Sequence, residues 1–191
     1  MKIVELVLDL TDDQAGIEAI SVVESPAIEE NFVALNKHEV LLKEVDSEKR
    51  ILMGAALVPN KQIYRRNDKT DEEYYIYVSE DTVRKASELF FKKSNHHNAT
   101  LEHNEKVDGT YITESWIVED SKKDKSALYG LDLPKGSWVV SMKIDNDEIY
   151  EKAKNGEVKG FSIEGYFADK YDLNTNLEEI ETINKLKELL K

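Results

Sequence analysis

The sequence predicts an α+β domain built on an antiparallel sheet or barrel. Many short β-type runs are closed by Pro, Gly, Asn or Asp, whereas two internal stretches, Glu80 to Lys92 and the one opening at Asp145, carry helical spacing and helix-end signals. At 191 residues, 40% of them hydrophobic, the chain can bury one substantial core but is short for two. Residues 1–172 therefore read as a single domain, with N-terminal strands in 1–45 and a second section over 50–170; residues 177–191 read as an added helix.

In chain order, Lys2 to Leu10 is β-rich, Thr11 to Gly16 reads as a turn, and Ile17 to Val23 closes a hairpin. Pro26 ends it, because proline cannot donate to a ladder. Asn31 to Leu35 and Glu39 to Val45 are further candidate strands, and the charged run Asp46 to Arg50 marks a junction. Ile51 to Val58 reads as a buried strand stopped by Pro59 and Asn60, and Tyr74 to Val78 as another after the polar loop Asn67 to Glu73. Ser79 is placed to cap the helix Glu80 to Lys92, whose Val83, Ala86, Leu89 and Phe90 fall on one face.

Thr100 to His103 is a short strand, Asp108 and Gly109 a turn, and Thr110 to Val118 the return strand. After a solvated loop from Glu119 to Ser126, Leu128 to Leu133 and Trp138 to Lys143 are two more strands. Asp145, with Glu148 three residues on, resembles a capping box and opens a helix that ends at Asn155 and Gly156. The terminal segment sets Leu177, Ile180, Ile183, Leu186 and Leu190 on one face, with acids early and lysines late as the helix dipole prefers. It is an amphipathic helix that folds back on the domain or docks on a partner.

Composition removes several classes of function. The formal net charge is −13, so the basic footprint that binds phosphate backbones is missing and direct nucleic-acid binding is not expected. With no cysteine there is no disulfide, thiolate metal site or cysteine nucleophile, and a reducing interior is the natural home. The opening Met1 to Glu5 breaks into charge at once, and no apolar run reaches 18 residues, so a soluble, unsecreted protein without a membrane span is expected. The four histidines, His38, His96, His97 and His103, fit none of the usual zinc spacings, and no metal or cofactor is expected.

One stretch carries nucleophile chemistry. In Lys159 to Gly165 a serine, Ser162, stands between glycines at the start of a strand-like run, where a substrate can come close to the main chain. It is not the Gly-x-Ser-x-Gly elbow, because Glu164 occupies the position two after the serine. A base is available in His103, at the end of a short strand and before a turn, with an ordinary pKa of about 6.5. Such a pair is the minimum for nucleophilic catalysis and predicts a Ser162 hydroxyl within about 3–4 Å of a His103 ring nitrogen.

The order of these features resembles a known family. Gly54 to Pro59, the Ser79 helix, Leu101-Glu102-His103-Asn104 with Val107-Asp108-Gly109, Leu128-Tyr129-Gly130, and Gly160-Phe161-Ser162-Ile163-Glu164-Gly165-Tyr166-Phe167 together resemble the prohead proteases of tailed bacteriophages, and most closely the XkdF-like phage serine proteases. The resemblance implies a herpesvirus-assemblin-like β-barrel with flanking helices, Ser162 as nucleophile and His103 as base. In related prohead proteases an acidic residue follows the serine on a strand of Glu-Val-Ser-Leu-Val type before Pro-Ala. Here the matching run is at the front, in Ile17 to Ala27, which implies a circular permutation and makes Glu18 the candidate third member. That match is one residue out of step, and Glu24, Asp169, Asp172 or a water-assisted dyad stay open as alternatives.

What the resemblance implies in function is a serine endopeptidase that cuts scaffold and major capsid proteins through an acyl-enzyme on Ser162 during head maturation, in the host cytoplasm within the assembling prohead. A homo-oligomer is compatible with it. The alternative is a non-catalytic head-assembly or scaffold-binding protein of the same fold. A carboxylate-based hydrolase finds less support, because the 39 acids show no distinctive spacing.

Overall fold

The computed structural model describes residues 2–26, 33–34, 49–67 and 70–171. The strands are β1 (Lys2–Val7), β2 (Gly16–Val23), β3 (Val33–Ala34), β4 (Ile51–Leu57), β5 (Ile63–Arg66), β6 (Glu73–Val78), β7 (Ala99–Leu101), β8 (Glu105–Lys106), β9 (Thr110–Ile117), β10 (Trp138–Ile144), β11 (Gly160–Tyr166) and β12 (Ala168–Asp169). The helices are α1 (Glu80–Lys92), α2 (Lys125–Leu128) and α3 (Asp147–Lys154). The strands form three four-stranded sheets, ordered β12-β1-β6-β5, β3-β4-β10-β9 and β11-β2-β7-β8. The protein is thus a mixed α+β fold dominated by sheet, and among the described residues the sheets do not close into a barrel.

β2 is the strand around which the site is assembled. Of its eight residues only Glu18 is exposed, so it reads as a near-continuous apolar run, as a strand covered on both faces should. Ile17, Ile20 and Val22 join the main core with Leu52, Val83, Phe90, Trp138 and Phe161. The rings of Phe90 and Trp138 meet edge to face at 5.4 Å. At its two edges β2 pairs antiparallel with β11 and parallel with β7.

That pairing corrects the expected hairpin between Lys2 to Leu10 and Ile17 to Val23. β1 pairs with β6 and β12 in another sheet. A turn between two β-type runs records only a reversal, and β2, apolar on both faces, is a central strand that needs a neighbour on each side. β9 likewise does not return on β7; it pairs with β10, and β7 closes its own short hairpin with β8.

Leu128 to Leu133 is not a strand. Asp124 accepts hydrogen bonds from the Ser126 backbone N–H at 2.8 Å and the Ser126 hydroxyl at 2.7 Å, which turns the chain into α2 and leaves Leu128 76% exposed. The cap of α3 is Asn146, whose Oδ1 accepts from the Ile149 N–H at 3.1 Å, while the Asp145 N–H is engaged by the Gly109 carbonyl. The cap and bounds of α1 are as read, and Gly156 takes the left-handed conformation past α3 at φ +72°. The strand β5 was not anticipated. The proposed strand Glu39 to Val45, most of Asn31 to Leu35, His38, Asp172 and the helix 177–191 lie outside the described residues.

Candidate active site

Ser162 and His103 reach the same sheet by different routes. Ser162 is in β11, an extended run started by Gly160, and its register partner on β2 is Ser21. Ser21 in turn is level with Thr100 on β7. The three residues form one row across three strands, with side chains on one face. His103 stands just past β7 in a tight turn in which the Asn104 N–H donates to the Leu101 carbonyl at 3.0 Å. Both central residues have positive φ, 50° at Glu102 and 58° at His103, as a type I′ turn requires. Histidine is among the non-glycine residues that adopt this conformation more readily.

The turn is fastened at three points to β2 and the residue that follows it. The His103 N–H donates to the buried Ser21 hydroxyl at 3.0 Å, the Glu102 N–H to the Val22 carbonyl at 3.1 Å, and the Glu24 N–H to the Glu102 carboxylate at 2.6 Å. These bonds aim the imidazole across the row. There His103 Nδ1 lies 3.2 Å from Glu164 Oε1, and the same carboxylate oxygen accepts the Thr100 hydroxyl. Glu164 is two residues beyond Ser162 on β11, so both side chains leave the same face of the strand.

The expected third member behaves differently. Glu18 is exposed and sits where the β2–β11 register shifts, Glu164 facing Ala19 and Gly165 facing Ile17. Among the described residues no hydrogen bond or ion pair links Glu18 to His103; the carboxylate on His103 is that of Glu164. In a Glu-Val-Ser-Leu-Val run the acid stands two before the serine, which for Ser21 is the position of Ala19. Ala19 is the register partner of Glu164. The carboxylate therefore occupies the expected row from the neighbouring strand.

Glu24 contributes a backbone bond to the His103 turn, and Asp169 faces Lys2 at 3.7 Å in the first sheet. His96 and His97 form a single 3₁₀ turn with ring centroids 4.1 Å apart, His96 stacking on Phe91. Among the described residues no three His, Asp or Glu side chains converge as metal ligands would. Nor does any described residue donate to or accept from the Ser162 hydroxyl, so the expected Ser162–His103 hydrogen bond is open here.

Residues 38–172, well over half of the chain, match the model of a family described as "Putative phage serine protease XkdF". The chain belongs to that family. The match spans His103, Glu164 and Ser162 and leaves β1 and β2 outside it, although β2 lies between the strands that carry the site. No curated protein and no solved structure matches the chain.

Two residues of this candidate site escaped the sequence reading. Glu164 stood in view but read only as a departure from the Gly-x-Ser-x-Gly pattern. Ser21, buried and accepting from the His103 backbone, was legible only as part of the run that resembled the acid-bearing strand.

Proposed function

We propose that this protein is a serine endopeptidase of phage head maturation, cutting scaffold and major capsid proteins through an acyl-enzyme on Ser162. The observation that carries the reading is the imidazole of His103 held by a carboxylate two residues beyond a glycine-flanked serine on the same strand face, inside a segment that belongs to a phage serine protease family. In this reading His103 takes the Ser162 proton as the serine attacks the peptide carbonyl, then returns it to the leaving amine. Glu164 takes the role expected of Glu18 and fixes the imidazole tautomer through Nδ1, leaving Nε2 for the serine. The Ser162–His103 bond closes on substrate binding, as catalytic hydrogen bonds often do. Backbone N–H groups near Ser162 and Gly165 supply the oxyanion hole.

The position of β2 supports the permuted reading of the fold. A strand from the front of the chain, whose sequence resembles the run that follows the serine in related prohead proteases, stands beside the serine strand. An assemblin-like barrel is the architecture we propose for the complete protein. Among the described residues no helix is long and apolar enough to cross a membrane, which is compatible with action inside an assembling prohead.

The test is cleavage of co-expressed scaffold and capsid proteins. Ser162→Ala should abolish it, by on the order of 10⁶ in kcat where such residues act as a unit, with an unchanged thermal melt. Cleavage that persists in this variant sinks the proposal in favour of a non-catalytic assembly role.

A further inference from the structure

A cavity of about 180 Å³ borders the serine on the side away from β2. Its walls include Phe161, Ser162 and Ile163 of β11, Leu57 of β4, Ile63 of β5 and Ile76 of β6. Consecutive strand residues point to opposite faces, so a cavity bordered by Phe161, Ser162 and Ile163 together must run along the strand's edge. One edge of β11 is taken by β2, and among the described residues no strand pairs with the other. The cavity therefore lies along the open edge of the serine strand, with its far wall supplied by the other two sheets.

From this placement we infer that the cavity is a substrate subsite that takes an aliphatic or aromatic side chain of the peptide beside the scissile bond; the inference rests on the protease reading. Three facts select the occupant. The lining is mainly apolar: besides Ser162 its polar side chains are Arg65 and Tyr77, whose hydroxyl already donates to Glu5, so a polar group would lose most of its hydrogen bonds to water on entering. The volume suits such a side chain, since a cavity of about 150 Å³ lined by Leu, Ile and Phe holds benzene. An open strand edge is also where an extended peptide is held by main-chain hydrogen bonds while pockets read its side chains. Ser162, as a wall, places the residue of the reacting oxygen on that edge.

Two measurements on the full chain separate this inference from the reading beneath it. In the first, the wild-type protein digests a proteome-derived peptide library and mass spectrometry reads the residues flanking each cut. Leu, Ile, Met or Phe should be favoured over Gly at one flanking position by at least about tenfold, and Ile63→Trp, which fills the cavity from β5, should shift that preference to smaller residues. In the second, the Ser162→Ala protein is titrated with N-acetyl-leucinamide and with N-acetyl-glycinamide while NMR follows the methyl groups of Ile63, Ile76 and Ile163. These methyls should shift with the leucine probe and not with the glycine probe. Cutting with a flat profile, or methyls that respond equally to both probes, overturns the subsite and leaves the protease reading standing. Methyls that respond to leucine alone, with no cutting by the wild-type protein in the first measurement, support the apolar site and overturn the protease reading.

Discussion

His103 owes its place to a hydroxyl and a carboxylate that are remote in sequence. Ser21 of β2 accepts from its backbone N–H and Glu164 of β11 meets its ring nitrogen, so backbone and imidazole are held from two different strands. If Glu164 orients the base, Glu164→Gln should lower kcat by two to four orders of magnitude with KM nearly unchanged, since loss of the orienting acid in a Ser-His-Asp triad costs about 10⁴. Glu164→Asp should recover part of that loss, and steady-state kinetics on a single peptide substrate reads both. Equal kcat in wild type and Glu164→Gln would return the third role to Glu18 or to water. Ser162 and His103 were legible because a glycine-flanked serine and a histidine at a strand end are distinctive as residue types in place. Glu164 was not, because its meaning depends on a strand register between residues 61 positions apart.

At the scale of elements, the β2–β11 pair is the most sensitive joint. A Cβ added at Gly165 would stand 2.1 Å from the Gly16 carbonyl oxygen and 2.7 Å from the Ile17 Cα, both backbone atoms that cannot swing aside. Gly165→Ala should therefore force β11 away from β2 just past Glu164, costing about 3 kcal/mol in a urea melt, near the upper end for single substitutions. A variant as stable as wild type would mean that the register shift absorbs the methyl group. Helix α1 and the strands β4 and β10 were readable from periodicity and caps alone, since the information lies within each segment. Partner choice was not: nothing in Lys2 to Val23 says that β1 and β2 belong to different sheets. The turn into α2 was hidden too, because Asp124 acts by taking hydrogen bonds rather than by any apolar pattern.

For the molecule as a whole, the acid surface sets how stability responds to pH. Hydrogen bonds from Lys125 and Ser141 hold Glu114 below the usual carboxylate range, tying β9 to α2 and β10, and a bond from Lys170 does the same for Glu5. At Asp124 burial pushes upward, but hydrogen bonds from Ser126 and Trp116 outweigh it and the net direction is down. Groups lowered on folding contribute stability that is complete above the unfolded carboxylate pKa of about 4 and is lost as pH falls through the folded value. Urea midpoints should therefore fall between pH 5 and pH 3, and Glu114→Gln should fall less over that interval than wild type. A variant that tracks wild type in parallel would remove Glu114 from this account.

The row across β11, β2 and β7 also has a consequence in time. A ribosome releases β2 first, the His103 turn some eighty residues later, and the serine strand only near the end of the described chain. Pairings this distant are slow to form, because the intervening loops must close before any contact rewards them. No nascent fragment can hold the imidazole, its carboxylate and Ser162 together until Tyr166 has emerged. In the proposed reading, the peptidase site therefore stays unassembled on the ribosome until the serine strand has emerged.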